Sequence, residues 1–224
     1  MIDFKNYSDP EIEGNIADTM SAPLKAATRI LKWGFAFAAC SVFADILIIT
    51  FSEQRNAAIV SSVCIFLLTF VCGCCYGAIP FPKNMNKSLQ SVLDYGKRVM
   101  QLVINDVGQS ANTQETGCEI FSGVMTDIIN PAVKKGLGGE KITIVGRFVF
   151  KIYSMVISVF FAGFKDFLAN VDVEISEAVD SYIEVVKGFI RKIYLFASVT
   201  TIGLAIASTF VIHSLARSLI SSAL

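Results

Sequence analysis

The residues with the clearest chemical potential are three cysteines in the stretch VCGCCYGAIPFPK, residues 71 to 83. Thiols at such spacing could bind a metal, form a disulfide or accept a fatty acid. A structural zinc site needs four ligands, and on a helix Cys72 and Cys75 share one face while Cys74 points elsewhere. Only Cys118 or another subunit could complete a metal set, so we expect no metal site here.

The surroundings of these cysteines leave two interpretations open. Pro80 and Pro82 stop the preceding helix, at what we predict to be the cytoplasmic end of a membrane span. A disulfide is disfavoured because that side of a membrane is reducing. Cys72, Cys74 and Cys75 are therefore either acylated beside the membrane or act as small apolar residues in helix packing.

No catalytic set emerges elsewhere in the chain. His213 is the only histidine, so a Ser/His/Asp or Cys/His arrangement would have to use it, and nothing near it in the sequence orients it. The stretch GLGGEKIT lacks the GK[ST] end of a phosphate loop, since Glu140 follows Gly139. We expect a protein that is not an enzyme and that binds no cofactor.

Composition indicates a helical membrane protein. Hydrophobic residues make up 54% of the chain and charged residues 17%, with a mean hydropathy of +0.60. Its net charge of zero gives no global attraction to nucleic acid, so we expect no nucleic-acid partner. The apolar runs 34–51, 57–79 and 193–212 are each close to the roughly 20 helical residues that cross a bilayer. We predict an all-α integral membrane protein with the lipid bilayer as its first partner.

The segment 144–164 is apolar but carries Arg147 and Lys151 near its start. Either those side chains snorkel and the segment is a fourth span, or it lies in the interface or re-enters from one side. Lysines and arginines beside membrane spans usually stay on the cytoplasmic side, which favours a cytoplasmic amino terminus here. Lys187, Arg191 and Lys192 precede the last span, and a full crossing by 144–164 would place them on the outer side. We therefore favour three crossings. Which membrane it occupies is not encoded.

This placement predicts four regions along the chain. Residues 1–33 form an acidic tail and a basic segment that starts at Ser21 and is either an interfacial helix or an extension of the first span. Residues 34–79 form a transmembrane hairpin. Residues 80–192 form an amphipathic helical region in which 85–107 and 165–192 carry apolar stripes, and 193–224 hold the last span. We expect the polar stretches 105–120 and 134–141 to be loops.

Asp45 is the one carboxylate inside a predicted span. Burying such a group in hydrocarbon costs about 2.5 to 3.5 kcal/mol on insertion scales, so it usually faces a bundle interior or a wet cavity. It is either part of an ion or proton pathway or an intersubunit contact, or it lies near enough to the outer end of the span to snorkel.

Small residues repeat at helical spacing in the spans. Thr69, Gly73 and Gly77 share a face of the second span, and Gly203 and Ala207 form a looser pair in the last. Such faces let helix backbones approach closely in lipid. They favour helix packing and a homo-oligomer.

The paired apolar runs of residues 34–79 resemble the bilobed hydrophobic hairpin of chlamydial inclusion-membrane proteins and are similar to reticulon-type hairpins that shape membranes. The resemblance is one of hydropathy, and the additional carboxyl-terminal span departs from the inclusion-protein pattern. Our leading hypothesis is a non-enzymatic membrane subunit or scaffold that oligomerises. The alternative is a channel or transporter subunit that uses Asp45 and the Ser/Thr-rich last span.

Overall fold

The structure, a computed structural model, describes residues 2–51, 55–107, 114–170 and 174–223, and nearly all of these residues are helical. The helices are α1 Pro10–Phe51, α2 Arg55–Ala78, α3 Pro80–Val107, α4 Gln114–Gly123, α5 Asn130–Gly136, α6 Ile144–Asn170 and α7 Ile175–Ala223. A π-helical turn at Val124–Ile129 joins α4 to α5, and 3₁₀ turns occupy Phe4–Tyr7 and Gly139–Lys141. The described residues contain no strand, which confirms the all-α prediction.

Among the described residues, three helical stretches are long and apolar enough to cross a membrane: Ile59–Val107, Ile144–Asn170 and Ile175–Leu215. The first stretch contains the predicted span 57–79 except for residues 57 and 58, and the third contains the predicted span 193–212. The second stretch contains segment 144–164, for which the sequence leaves a crossing open. The predicted span 34–51 forms the end of α1. The side chains of residues 44, 47, 48 and 51 lie outside the described part of the chain, so that span stays a prediction.

The chain divides into two compact units. The first, here called the apolar unit, is Lys25–Lys83 with Leu195–Leu224. It contains the end of α1, all of α2 and the end of α7, which are the three runs that hydropathy predicts to be spans. The second, here called the amphipathic unit, is Met1–Leu24 with Asn84–Tyr194. Segment 144–164 therefore belongs to the amphipathic unit.

The amphipathic unit has a packed core of the kind found in soluble helical domains. Its helices each bury one apolar stripe, as their three- and four-residue spacings predict. Buried side chains include Leu89, Leu93, Met100 and Val103 of α3, Val149, Tyr153 and Phe164 of α6, and Val179, Ile183 and Ile190 of α7. At the edge of this core α3 and α7 also exchange polar contacts, with Lys187 Nζ 2.9 Å from Asp94 Oδ1 and Gln101 Nε2 donating to Asp180 Oδ1 at 2.6 Å.

The amino-terminal turn is fastened to this unit at two points. Phe4 is buried, and a Cβ on Gly123 would overlap its ring, so the two residues are in direct contact. Tyr7 Oη donates to Asp106 Oδ2 at 2.5 Å. That hydrogen bond, made to a carboxylate, raises the pKa of the Tyr7 phenol.

The predicted loop at 105–120 is wrong at both ends, because α3 continues to Val107 and α4 begins at Gln114. Residues 108–113 lie outside the described part of the chain. Gly117 lies against Leu168 and Ile175, where a Cβ would approach the two side chains to 3.0 and 3.3 Å. Tertiary packing thus selects a helix in a stretch whose polar composition favours a loop. Within 134–141 the chain does turn after α5 ends at Gly136, and Gly138 adopts a φ of +116° that only glycine takes readily.

The predicted helix start at Ser21 is also wrong, since α1 runs unbroken from Pro10 and Ser21 donates to the Asp18 carbonyl. Pro23 therefore lies inside a helix, where it has no N–H for the carbonyl of Thr19 one turn earlier. Ser88 Oγ of α3 donates to that carbonyl at 2.8 Å. A side chain of a second helix thus replaces the backbone donor that proline lacks.

Replacing Ser88 with alanine should destabilise the protein by about 1–3 kcal/mol, because the Thr19 carbonyl then loses its donor. In a Pro23→Ala background the backbone N–H returns, and the same substitution should cost less than half as much. Thermal unfolding of the four variants in mild detergent measures this double-mutant cycle. Equal losses in the two backgrounds would show that Ser88 does not compensate for Pro23.

Candidate functional site

The candidate site lies in the apolar unit, where α1 and α2 pack against each other along a seam of glycines. A Cβ on Gly73 would lie 2.4 Å from the carbonyl oxygen of Trp33 and 2.9 Å from Cα of Gly34. A Cβ on Gly77 would lie 2.7 Å from Cα of Ile30. Distances this short leave no room for a side chain, so the two backbones touch. We call this contact the glycine seam.

The glycine seam uses the small residues that the sequence assigns to helix packing, and it uses them within one chain. Gly73 and Gly77 face α1 of the same molecule and are buried, so this face is not open to a second copy. Thr69 is half-buried, and its hydroxyl donates to the carbonyls of Ile65 and Phe66 in its own helix, each at 2.9 Å.

Gly203 and Ala207 have a different environment. A Cβ on Gly203 would meet no atom within 4 Å, and both residues are exposed on α7. Among the described residues, nothing in the chain covers this second pair.

Aromatic rings border the glycine seam. Phe37 stacks on Tyr76 with ring centroids 5.8 Å apart, and Phe35 meets Phe70 edge to face at 5.4 Å. Tyr76 Oη lies 3.1 Å from Thr209 Oγ1, which brings α7 into contact with α2. The three predicted spans therefore pack as one helical group.

Asp45 lies between α1 and α2, on the side of α1 that faces the hairpin partner. It is 8% exposed, and two serines near it, Ser41 at 6% and Ser62 at 5%, are equally buried. Ser41 Oγ donates to the Ala38 carbonyl at 2.8 Å and lies 3.5 Å from Asp45 Oδ2. Ser62 of α2 is a neighbour of the carboxyl group. The sequence identifies Asp45, but neither serine.

This polar cluster is incompletely satisfied. Asp45 Oδ1 and Ser62 Oγ are buried without a hydrogen-bond partner, and no ion pair joins Asp45 to any described lysine or arginine. An unpaired polar atom in an apolar environment costs about 1–3 kcal/mol. The cluster can therefore hold a proton, a small cation or a polar group of another helix, and each of these would lower that cost.

The three crowded cysteines do not converge. Cys72 is buried with its Sγ 3.8 Å from Thr209 Oγ1, whereas Cys74 and Cys75 are half-buried. A Cβ on Gly34 would lie 2.6 Å from the Cys74 Sγ, so this thiol packs beside the glycine seam. In the described part of the chain, no group of three or more His, Cys, Asp or Glu side chains could hold a metal ion.

The hydroxyl-rich last span directs its donors into its own helix. Thr200, Thr201, Ser208 and Thr209 each donate to a carbonyl of α7 three or four residues earlier, at 2.7–2.9 Å. His213 is exposed near the end of α7. The structure gives these hydroxyls no contact with the Asp45 cluster among the described residues.

Comparison of the chain with protein families, with curated proteins and with solved structures gave no match.

Replacing Gly73 or Gly77 with alanine should separate α1 from α2, because the new methyl group would overlap backbone atoms that cannot move aside. We expect a loss of about 1–3 kcal/mol for each, as for overpacked cores. Thermal unfolding in mild detergent measures the loss. Gly188→Ala is the matched control, since its methyl group meets no atom within 4 Å and the residue lies outside the predicted spans. It should leave stability unchanged or raise it by up to about 1 kcal/mol, because alanine favours a helix over glycine. Similar melting temperatures for all three variants would contradict the seam.

Proposed function

We propose that this protein is a non-enzymatic, multi-pass membrane subunit that self-associates and organises a membrane assembly. The observation that carries the proposal is the exposure of the last apolar helix. Only 6% of the most apolar stretch of Ile175–Leu215 is buried within the chain. Large side chains are exposed on several sides of it, among them Leu195, Phe196, Val199, Leu204, Ile206 and Phe210. In water such a surface would drive aggregation, and it suits lipid or another apolar helix.

The side of α7 that contains Gly203 favours a helix over lipid alone. Gly203 and Ala207 form a shallow strip, and Val199, Ile206 and Phe210 lie on the same side at helical spacing. Small residues flanked by large ones let a second backbone approach closely and pack between the large side chains. Because the glycine seam is already occupied within the chain, we assign self-association to this strip of α7.

The remaining elements fit the same proposal. The glycine seam holds a hairpin that anchors the chain, and Lys25, Arg29 and Lys32 precede its first helix. These basic residues support an amino terminus on the cytoplasmic side, by the rule that positive charges stay inside. We assign the amphipathic unit, which has charged side chains on its surface, to contacts with lipid headgroups or protein partners.

A channel or transporter subunit is the second candidate, and the Asp45 cluster is the observation that favours it. A buried carboxylate with an unpaired oxygen is the usual mark of an ion or proton pathway in a membrane protein. The last span supplies no support for this candidate among the described residues, because none of its hydrogen bonds links a hydroxyl to Asp45, Ser41 or Ser62.

Self-association is tested by the mass of the purified protein in mild detergent. The proposal expects a species of at least twice the 24.4 kDa chain, and Gly203→Ile should reduce it to the monomer mass, because the larger side chain fills the strip. Gly188→Ile is the control: a Cβ there also meets no atom within 4 Å, but the residue lies outside the predicted spans. A monomeric wild type, or a Gly203→Ile variant that associates as the wild type does, would contradict the proposal.

Ion flux separates the two candidates. A scaffold should cluster or tubulate liposomes without making them leak, and Asp45→Asn should leave both properties unchanged. A channel should support flux into liposomes that Asp45→Asn lowers by tenfold or more, about 1.4 kcal/mol. Flux that depends on Asp45 would replace the scaffold proposal with the channel.

A further inference from the structure

Helix α6 has two faces that differ in what covers them. One face is in the core of the amphipathic unit and includes Gly146, Val149, Tyr153, Ile157, Phe160 and Phe164. The other face is open and equally rich in large apolar side chains. The hydropathy of α6 alone therefore does not show whether this helix crosses a bilayer.

The covered face is bound to helices that a bilayer interior would exclude. Tyr153 Oη donates to Asn130 Oδ1 at 3.2 Å, and Tyr182 Oη of α7 donates to the Phe160 carbonyl at 2.6 Å. Phe164 stacks on Phe121 of α4 with ring centroids 4.8 Å apart. The partner elements carry exposed charges, including Glu115 and Glu119 of α4, Asp127 of the π-helical turn, Lys134 of α5 and Glu177 of α7. Immersing α6 on all sides would take those charges into hydrocarbon.

The open face carries an apolar stripe. Ile144 is 83% exposed, Phe148 55%, Met155 67% and Val159 58%. Their spacings of four, seven and four residues place all four on one side of the helix. Nothing in the described chain covers this stripe.

Basic side chains follow one edge of the stripe. Arg147 and Lys151 are exposed and form no ion pair with any described residue. A third basic residue, Lys134 of α5, contacts the same part of α6, with its Nζ 5.4 Å from the ring centroid of Phe150. From residue 130 to 151 the chain has five lysines and arginines and a single acid, Glu140. This local excess of positive charge stands out in a chain whose net charge is zero.

We propose that the open face of α6 docks on an anionic lipid surface, with Phe148, Met155 and Val159 inserted below the headgroups and Arg147 and Lys151 against them. An apolar stripe beside a basic edge is the pattern of helices that lie in the membrane interface. The charge of the edge selects anionic lipid, since each basic residue near such a surface contributes about 1 kcal/mol. The inference relies on the proposed function only for residence in a membrane, and it is independent of self-association.

The depth of two reporter residues distinguishes an interfacial helix from a spanning one. Phe148 and Val159 are eleven positions apart, so their depths differ by about 16 Å if α6 crosses the bilayer and hardly at all if it lies flat. We would introduce Phe148→Trp and Val159→Trp separately into the full chain with Trp33→Phe, which removes its only tryptophan. Each protein is reconstituted in phosphatidylserine-containing bilayers with lipids brominated near the headgroup or deep in the acyl chain.

Docking predicts that both reporters are quenched most by the shallow bromines and to the same extent. Reporters at different depths would show a spanning helix and overturn the proposal. Absence of quenching at both positions would also overturn the proposal. If the emission of the unquenched reporters changed with protein concentration, a second copy of the chain would cover this face instead. None of these outcomes depends on the detergent mass that tests self-association.

The basic edge is tested by Arg147→Gln combined with Lys151→Gln in both reporter proteins. Loss of the two charges should lower the ratio of docked to undocked helix by about 30-fold. Quenching by the shallow bromines should therefore reach half of its maximum only at a larger fraction of phosphatidylserine. Lys87→Gln combined with Arg98→Gln is the matched control, because both residues are exposed on α3. Quenching that is indifferent to phosphatidylserine in every variant would overturn the anionic preference.

Discussion

Direct contact between the backbones of α1 and α2 is the constraint on which the apolar unit depends. Setting Gly73 against Gly34 and Gly77 against Ile30 fixes an antiparallel register between the two helices. The same register, continued toward the end of α1, places Ser62 opposite Asp45. The polar cluster is therefore a consequence of where the glycines lie, since a shift of one turn would leave the carboxyl group facing apolar side chains or lipid.

The sequence predicts the helical class and the apolar segments because both follow from local periodicity and hydropathy. It cannot predict which helix, chain or lipid covers a given face of a helix. The GxxxG pattern of Gly73 and Gly77 indicates close packing, yet the pattern is identical whether the partner is the neighbouring helix or a second chain. Likewise, the hydropathy of 144–164 fits a span and an interfacial helix equally well, and our proposal of an interfacial helix relies on the packing of Tyr153 and Phe164.

Other features cannot be predicted from local sequence patterns, because they arise from contacts between distant parts of the chain. The polar composition of residues 114–120 favours a loop, but these residues form a helix in which Gly117 packs against Leu168 and Ile175. Pro23 suggests a helix start because it is tolerated in a first turn. Its place inside α1 becomes understandable only with Ser88, which lies far away in sequence and supplies the missing donor.

The two sides of α2 should accept change very differently over evolutionary time. On the side of the glycine seam, any residue larger than glycine meets backbone, so positions 73 and 77 can hardly vary. On the other side Val60, Val63, Leu67 and Val71 are exposed, and any apolar side chain would serve there. Sequences descended from a common ancestor would therefore preserve a pair of glycines in a helix whose remaining residues drift freely among apolar types.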